Sequence, residues 1–260
     1  MFIDGDSDPL NNGLDSGAPA RWQCTDLLTC KNRVQSAVTN TAYWNEMASV
    51  VKPSRGYDAS GRRAQAGRTR TAVLETAQRL FLANGYVATT IATIAAEAGV
   101  SVETIYKAFG NKPGVVRAIH ERALAGDESL PTSQRSDDMR ARETDPRRVI
   151  QNWGSFATQV MPRVAPILLL VRSAAATAPE LSVLWEELED QRLTRMADNA
   201  RYFVDGGHLR EGCTQEEARD VLWAYTSPEL YERLVLRQGW TVARWGQFVS
   251  EGIIAALLAT

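Results

Sequence analysis

Residues 89–109 read TTIATIAAEAGVSVETIYKAF, and the order of residue types along them decides the fold. Ile94, Ala95, Ala98, Val100, Ile105 and Phe109 fall where two short helices would bury them against each other and against a preceding helix. The spacing predicts helices over about 91–98 and 102–109, capped by Thr90 and Ser101. Gly99 suits the turn between them, because glycine takes positive φ without a Cβ clash. Small side chains at Ala95 and Ala98 permit close crossing. The second helix is left with Val102, Glu103, Thr104, Tyr106 and Lys107 outside: short and polar near its start, basic and aromatic further on. A helix that enters a major groove by its N-terminus needs such a surface.

Working outward, residues 71–84 carry Val73, Leu74, Ala77, Leu80 and Phe81 at helical spacing, and Asn84-Gly85 ends them. Downstream, Asn111 or Lys112 opens a helix striped with Val115, Val116, Ile119 and Ala123. Charge is uneven. Residues 47–125 hold eleven Lys and Arg against five Asp and Glu, although the whole chain has a formal charge of −2. A basic segment on an otherwise acidic protein fits a local nucleic-acid surface, or a solvated basic face.

These elements carry a family resemblance. AQRLFLANGY at 77–86, Thr89-Thr90, Ile94-Ala95, AGVS at 98–101, Thr104-Ile105-Tyr106 with Phe109, and Asn111-Lys112 resemble the N-terminal domain of the tetracycline-repressor family of bacterial transcription regulators. The resemblance spans about residues 70–122. It implies an all-α protein: an N-terminal three-helix helix-turn-helix DNA-binding domain, then a C-terminal helical ligand-binding and dimerisation domain. It implies that Thr90, Ala92 and Thr93 face DNA from the start of one helix. Val102, Glu103, Thr104 and Lys107 would sit at or in the groove, and Tyr106 and Lys112 would hold phosphates. Each role is physically reasonable. A lysine at a helix N-terminus adds to the amide dipoles facing an anion. Glu103 can accept from cytosine N4, and Thr104 or Val102 can touch a thymine methyl. Packing for Tyr106, and simple helix-end charge for Glu103, stay open. TSPELY at 226–231 with RQGW at 237–240 looks like the tail of a large actinobacterial-type subgroup.

The expected organisation is a disordered extension and basic arm over 1–69, with Met47 a candidate natural start, a DNA-binding domain over 70–122, and a ligand-binding and dimerisation domain over 123–260. In the arm, Arg62, Arg63, Arg68 and Arg70 would track phosphates or the minor groove, or merely solubilise it. Residues 126–144, with Pro131, read as a loop. Asp145-Pro146 starts a helix to about 160; further helices are expected over 162–176, 182–204, 214–225, 227–239 and 241–258. No stretch alternates as a strand would.

In the C-terminal part, Trp153, Phe156, Met161, Ile167, Leu168, Trp185, Met196, Phe203 and Trp223 form the candidate lining of an effector pocket, with Gln159, Arg172 and His208 as polar tips. An apolar or aromatic effector fits that set better than a sugar or nucleotide. The final helix carries Val242, Trp245, Val249, Ile253 and Ala256 on one stripe, with Phe248 and Ala255 beside it and Gly246 and Gly252 for close approach. With the 218–225 helix it is the expected homodimer face; intramolecular core is the competing use of the same stripe.

Other classes are poorly supported. The longest apolar run, 165–171, is short for a membrane span, the first twenty residues do not read as a signal peptide, and Cys24, Cys30 and Cys213 do not make a disulfide framework. His120 and His208 are the only histidines, neither beside a catalytic constellation, and no Gly-rich phosphate loop occurs. The reading is a cytoplasmic regulator without cofactor, metal or enzymatic activity. It would be a homodimeric, ligand-released repressor bound to double-stranded palindromic DNA. An activator or corepressor-dependent regulator, or a helical small-molecule-binding or enzyme domain with an unused helix-turn-helix, is the alternative.

Overall fold

The computed structural model describes residues 59–126 and 130–259. The expected extension over 1–46, the Met47 start, the first part of the basic arm, the Arg62 side chain, Cys24 and Cys30 lie outside them.

The chain is helical from its first described residue. α1 (Ala59–Asn84) begins inside the stretch expected to be a flexible arm. The Ala, Arg and Gln that dominate 62–70 are good helix formers and outweigh Gly67 and Thr69, and the buried stripe from Val73 to Phe81 supplies the packing that lets the helix propagate backwards. α2 (Ile91–Ala98) and α3 (Val102–Phe109) are eight residues each. Gly99 between them has φ 67°, the left-handed conformation the turn was expected to need. α4 (Lys112–Ala125) starts at Asn111, whose side chain accepts from the Gly114 amide at 2.7 Å.

Two expectations need correction. The stretch 126–144 contains α5 (Thr132–Ala141). Its apolar content is too low for a periodic signal, and it is held instead by polar contacts: Asp137 pairs with Arg195 at 2.7 Å, and the Arg135 guanidinium lies over the Phe156 ring. Likewise, the helices expected over 145–160 and 162–176 are one continuous helix, α6 (Pro146–Ala175), with Pro162 and Pro166 inside it. Each proline removes a hydrogen bond at a cost of about 3 kcal/mol. That cost is outweighed because one face stays in register across both, burying Val160, Met161, Val164, Ala165, Ile167, Leu168 and Val171. α6 also has the length and mean hydropathy of a membrane span, but its apolar face lies in the protein core.

α7 (Pro179–Asp205) runs back along α6. α8 (Gln215–Tyr225) opens with the expected capping box, Thr214 and Glu217 each accepting from the other's amide. α9 (Pro228–Tyr231) continues into a π-helical turn, Glu232–Arg237, and α10 (Val242–Leu257) packs against α6 and α8. Among the described residues the only extended pairing is an isolated bridge between Leu209 and Leu258. One core joins α1–α4 to α6 and α7, so the first four helices share buried surface with the two longest helices of the C-terminal part. A second core gathers α6, α7, α8 and α10 around Trp245 and Phe203.

Candidate DNA-reading surface and effector cavity

The geometry of α2 and α3 is fixed by their starts. Thr90 Oγ1 accepts from the Thr93 amide at 3.0 Å, and Ser101 Oγ accepts from the Thr104 amide at 3.1 Å. These caps fix where each helix begins and satisfy one of its first free amides, and the remaining amides leave a partial positive charge at each N-terminus. Of α3 only Ile105 is buried. Val102, Glu103, Thr104, Tyr106 and Lys107 are all exposed, as are Thr90, Ala92 and Thr93 on α2. Tyr106 is half exposed, so packing uses only part of its surface.

Lys112 departs from its expected setting. Its ammonium lies 3.9 Å from the centroid of the Tyr86 ring, and burial lowers its pKa while the nearby Glu180 charge opposes that shift. The Tyr86 hydroxyl in turn donates to Glu180 at 3.1 Å; burial first, and then this carboxylate, push its pKa well upward. Much of the segment's positive charge is also neutralised internally. Arg79 pairs with Glu97, Arg117 with Glu187, and Arg122 with Glu75. Arg70 packs on the Phe109 ring and donates to the Ala108 carbonyl. Among the described residues of this head, the cations left to face an anion are Lys107 on α3 and the Arg63 and Arg68 side chains on α1.

Behind this head lies a cavity of about 490 Å³, partly open to solvent and lined mainly by α4, α5, α6 and α7. Of the expected lining residues, Trp153, Phe156, Met161, Leu168 and Met196 do line it. Trp185, Ile167, Phe203 and Trp223 do not. Trp185 and Ile167 belong to the first core, Phe203 is fully buried edge-on to Trp153, and Trp223 stands beside Arg192. The expected polar tips lie elsewhere too: Gln159 accepts from Arg135, Arg172 pairs with Glu229 at 3.0 Å, and His208 rests on Tyr202. The polar residues that line the cavity include His120, Glu121, Gln191, Arg192, Arg195 and Asn199, with the hydroxyl residues Thr132, Ser133, Ser136 and Thr226. His120 and Asn199 carry a sequence signal in retrospect, since each interrupts an apolar stripe: Val116–Ile119–Ala123 on α4, and Met196–Ala200–Phe203 on α7. Burial, with Arg192 and Arg117 nearby, pushes the His120 pKa down to about 4 and keeps the ring neutral at pH 7.

Residues 73–119 match the family model for bacterial regulatory proteins of the tetR family. The chain carries a TetR-family helix-turn-helix. A search of curated proteins found no match, but solved structures resemble the whole described TetR-type fold. NalD, the secondary repressor of the MexAB-OprM multidrug efflux pump in Pseudomonas aeruginosa, is 20% identical with a TM-score of 0.61, covering 75% of this chain and 98% of its own. SmeT, in a complex with triclosan, is 24% identical with a TM-score of 0.59, covering 74% and 92%. A transcriptional-regulator structure from Saccharomonospora viridis in complex with choline is 21% identical with a TM-score of 0.56, covering 75% and 100%. This is the all-α architecture expected: the TetR-type head followed by a helical C-terminal part.

The expected dimer stripe is corrected by burial. Trp245, Val249 and Ile253 are buried within the single chain, against α6 and Tyr231, because they are the most apolar face of α10 and the second core takes it. Gly246 approaches Gly154 and Thr158 of α6, and Gly252 approaches Tyr225 of α8, so both close contacts are internal. Val242 is half-buried. The outward side of α10 is instead Arg244, Gln247, Phe248, Glu251 and Ala255. Phe248 stays 38% exposed beside Tyr225 and Trp240.

Proposed function

We propose that the protein is a ligand-responsive transcriptional repressor that acts as a homodimer on a palindromic operator. The observation that carries this is the α3 face: five consecutive-turn side chains exposed on a helix whose N-terminus is capped and whose one apolar anchor is buried. Val102, Glu103 and Thr104 are the base-reading candidates; Tyr106, Lys107 and, after leaving the Tyr86 ring, Lys112 are the phosphate contacts. Thr90, Ala92 and Thr93 approach the same strand from α2. The domain division at about residue 122 follows the change from this head to the helices around the cavity.

Dimerisation is assigned to the outward faces of α8 and α10, with Phe248 and Ala255 at their centre. The dimer sets two α3 helices on one face of the duplex, about 34–36 Å apart. Effector occupancy of the cavity, which α4 walls on one side, changes that spacing. By linkage, the state that favours DNA binds effector more weakly. The repressor reading is supported by NalD, itself described as a repressor, and the effector reading by the triclosan and choline bound to SmeT and the Saccharomonospora viridis protein. The site of action is the bacterial cytoplasm, on the nucleoid.

The test is a gel shift on the DNA upstream of the protein's own gene, followed by footprinting. The expected result is a retained complex, resistant to random competitor, with a two-fold symmetric footprint. Binding no tighter than to random DNA contradicts the reading.

A further inference from the structure

The cavity is apolar over most of its wall, yet the residues that line it include three, on three helices, whose neutral polar groups have no hydrogen-bond partner among the described residues. Asn199 on α7 is 5% exposed, and its Oδ1 has no hydrogen-bond partner. Trp153 on α6 likewise has a buried indole Nε1–H with no acceptor. His120 on α4 is 5% exposed and makes no hydrogen bond among the described residues. Buried polar groups are nearly always satisfied, because leaving one unpaired forfeits its hydration without return. The charged groups at the same wall behave differently. Arg192 is paired with Glu189 at 2.7 Å and donates to the Trp223 and Thr226 carbonyls; Arg195 is paired with Asp137 and donates to the Ser133 carbonyl. Both guanidinium charges are answered inside the protein, and the carboxylate that also lines the wall, Glu121, is exposed to solvent, whereas the three neutral groups have no partner among the described residues.

We infer that the cavity takes an uncharged, mainly apolar molecule bearing a hydroxyl- or amide-type group that both donates and accepts, bound by Asn199 with the Trp153 indole N–H as second contact. This deepens the effector reading above and rests on it. The carboxamide of Asn199 offers one accepting and one donating end whichever way it is turned, and Trp153 can only donate. A hydroxyl or amide matches that set, since it can give one proton to Asn199 and receive one from Trp153. An aliphatic or plain aromatic hydrocarbon leaves both groups bare. A carboxylate can answer Trp153 but brings a charge that no unpaired cation of the wall awaits. His120, kept neutral, adds one donor and one acceptor without adding charge. Recognition of this kind rejects the analogue that lacks the polar group more strongly than a hydrophobic wall rejects one extra methylene.

The test uses the full chain and three probes of one skeleton: naphthalene, 2-naphthol and 2-naphthoate, titrated calorimetrically. The expected order is 2-naphthol tightest, by about tenfold or more over naphthalene, with 2-naphthoate weakest. Asn199→Leu, which keeps the volume and removes the dipole, should lower 2-naphthol to the affinity of naphthalene while leaving naphthalene bound. Trp153→Phe should lose part of the same preference. Circular dichroism melts establish that each variant is folded, and a folded Trp153→Phe serves if Asn199→Leu is not. If 2-naphthol and naphthalene bind alike, or Asn199→Leu and Trp153→Phe both keep the preference, the inference is overturned and the effector cavity stands. If 2-naphthoate binds tightest, the site is an anion site and the inference is wrong. If no probe binds, the effector reading fails, and the inference fails with it.

Discussion

α3 and α7 treat polar side chains in opposite ways. α3 buries one residue, Ile105, and turns Glu103, Thr104, Tyr106 and Lys107 to solvent on a helix aligned by the Ser101 cap. α7 draws Asn199 into the interior, next to a cavity, and leaves its carbonyl oxygen unpartnered. An exposed polar face costs nothing while unoccupied, because water satisfies it. A buried one costs about 1–3 kcal/mol per group until a partner arrives. The polar face of the head therefore carries no penalty while empty, whereas the buried dipoles beside the cavity do. The same division holds for charge: the Arg side chains near the cavity are paired at once, and Lys107 is not.

The contrast between inward and outward faces is tested hardest on α10. Val249→Glu puts an unpaired carboxylate into the second core and against the cavity, and should unfold or destabilise the protein by more than about 4 kcal/mol. Its neighbour Phe248→Glu sits on the outward face and should keep the fold and melting temperature close to the parent while converting dimer to monomer in light scattering. A stable Val249→Glu protein would mean that the stripe is surface after all; a dimeric Phe248→Glu protein would move the interface elsewhere.

His120 sharpens the comparison through pH. Its pKa is near 6.5 unfolded and about 4 folded, so between those values the unfolded chain binds more protons. Stability contributed by the neutral buried ring is intact above pH 6.5 and is lost as pH falls toward 4, by up to about 3 kcal/mol. Denaturant titrations from pH 7 to 4 should show His120→Leu with a shallower decline than the parent. Identical slopes would mean that the imidazole is hydrated in the folded state.

Gly99→Ala probes the head alone. A Cβ there meets no atom within 4 Å, so the cost is the left-handed backbone itself, about 1 kcal/mol. A loss much larger than this in chemical denaturation would indicate that the turn packs more tightly than its surroundings suggest.

The head was legible in the sequence because its determinants are local. Thr90, Ser101 and Asn111 cap helices that begin one residue later, Gly99 makes its own turn, and Ile94, Ala95 and Ile105 meet across that turn. The α5 helix was not legible, because Asp137 finds Arg195 fifty-eight positions away and leaves no periodic trace. The prolines of α6 misled for a related reason: the local cost of Pro162 is visible in the sequence, and the tertiary burial that outweighs it is not. For the cavity, aromatic content pointed to Trp153 and Phe156 correctly and to Trp185 and Phe203 wrongly. A large apolar side chain lines a void or fills a core with the same composition. The useful mark was a polar residue in an apolar stripe, as at His120 and Asn199. For the dimer face, stripe analysis found the core side of α10, since the most apolar face is the one the monomer itself takes.

The outward face of α3 is proposed to read DNA sequence. The direct measurement compares operator and random-DNA affinities for the parent, Glu103→Ala, Thr104→Ala and Lys107→Ala, across a panel of single base-pair changes and at several salt concentrations. Glu103→Ala and Thr104→Ala should lose discrimination at particular operator positions, about 1–3 kcal/mol where a base contact goes, and bind random DNA as before. Lys107→Ala should weaken both, with a salt slope lower by about one. Equal losses on operator and random DNA for Glu103→Ala and Thr104→Ala, or no loss for any of the three, would contradict sequence reading by this face.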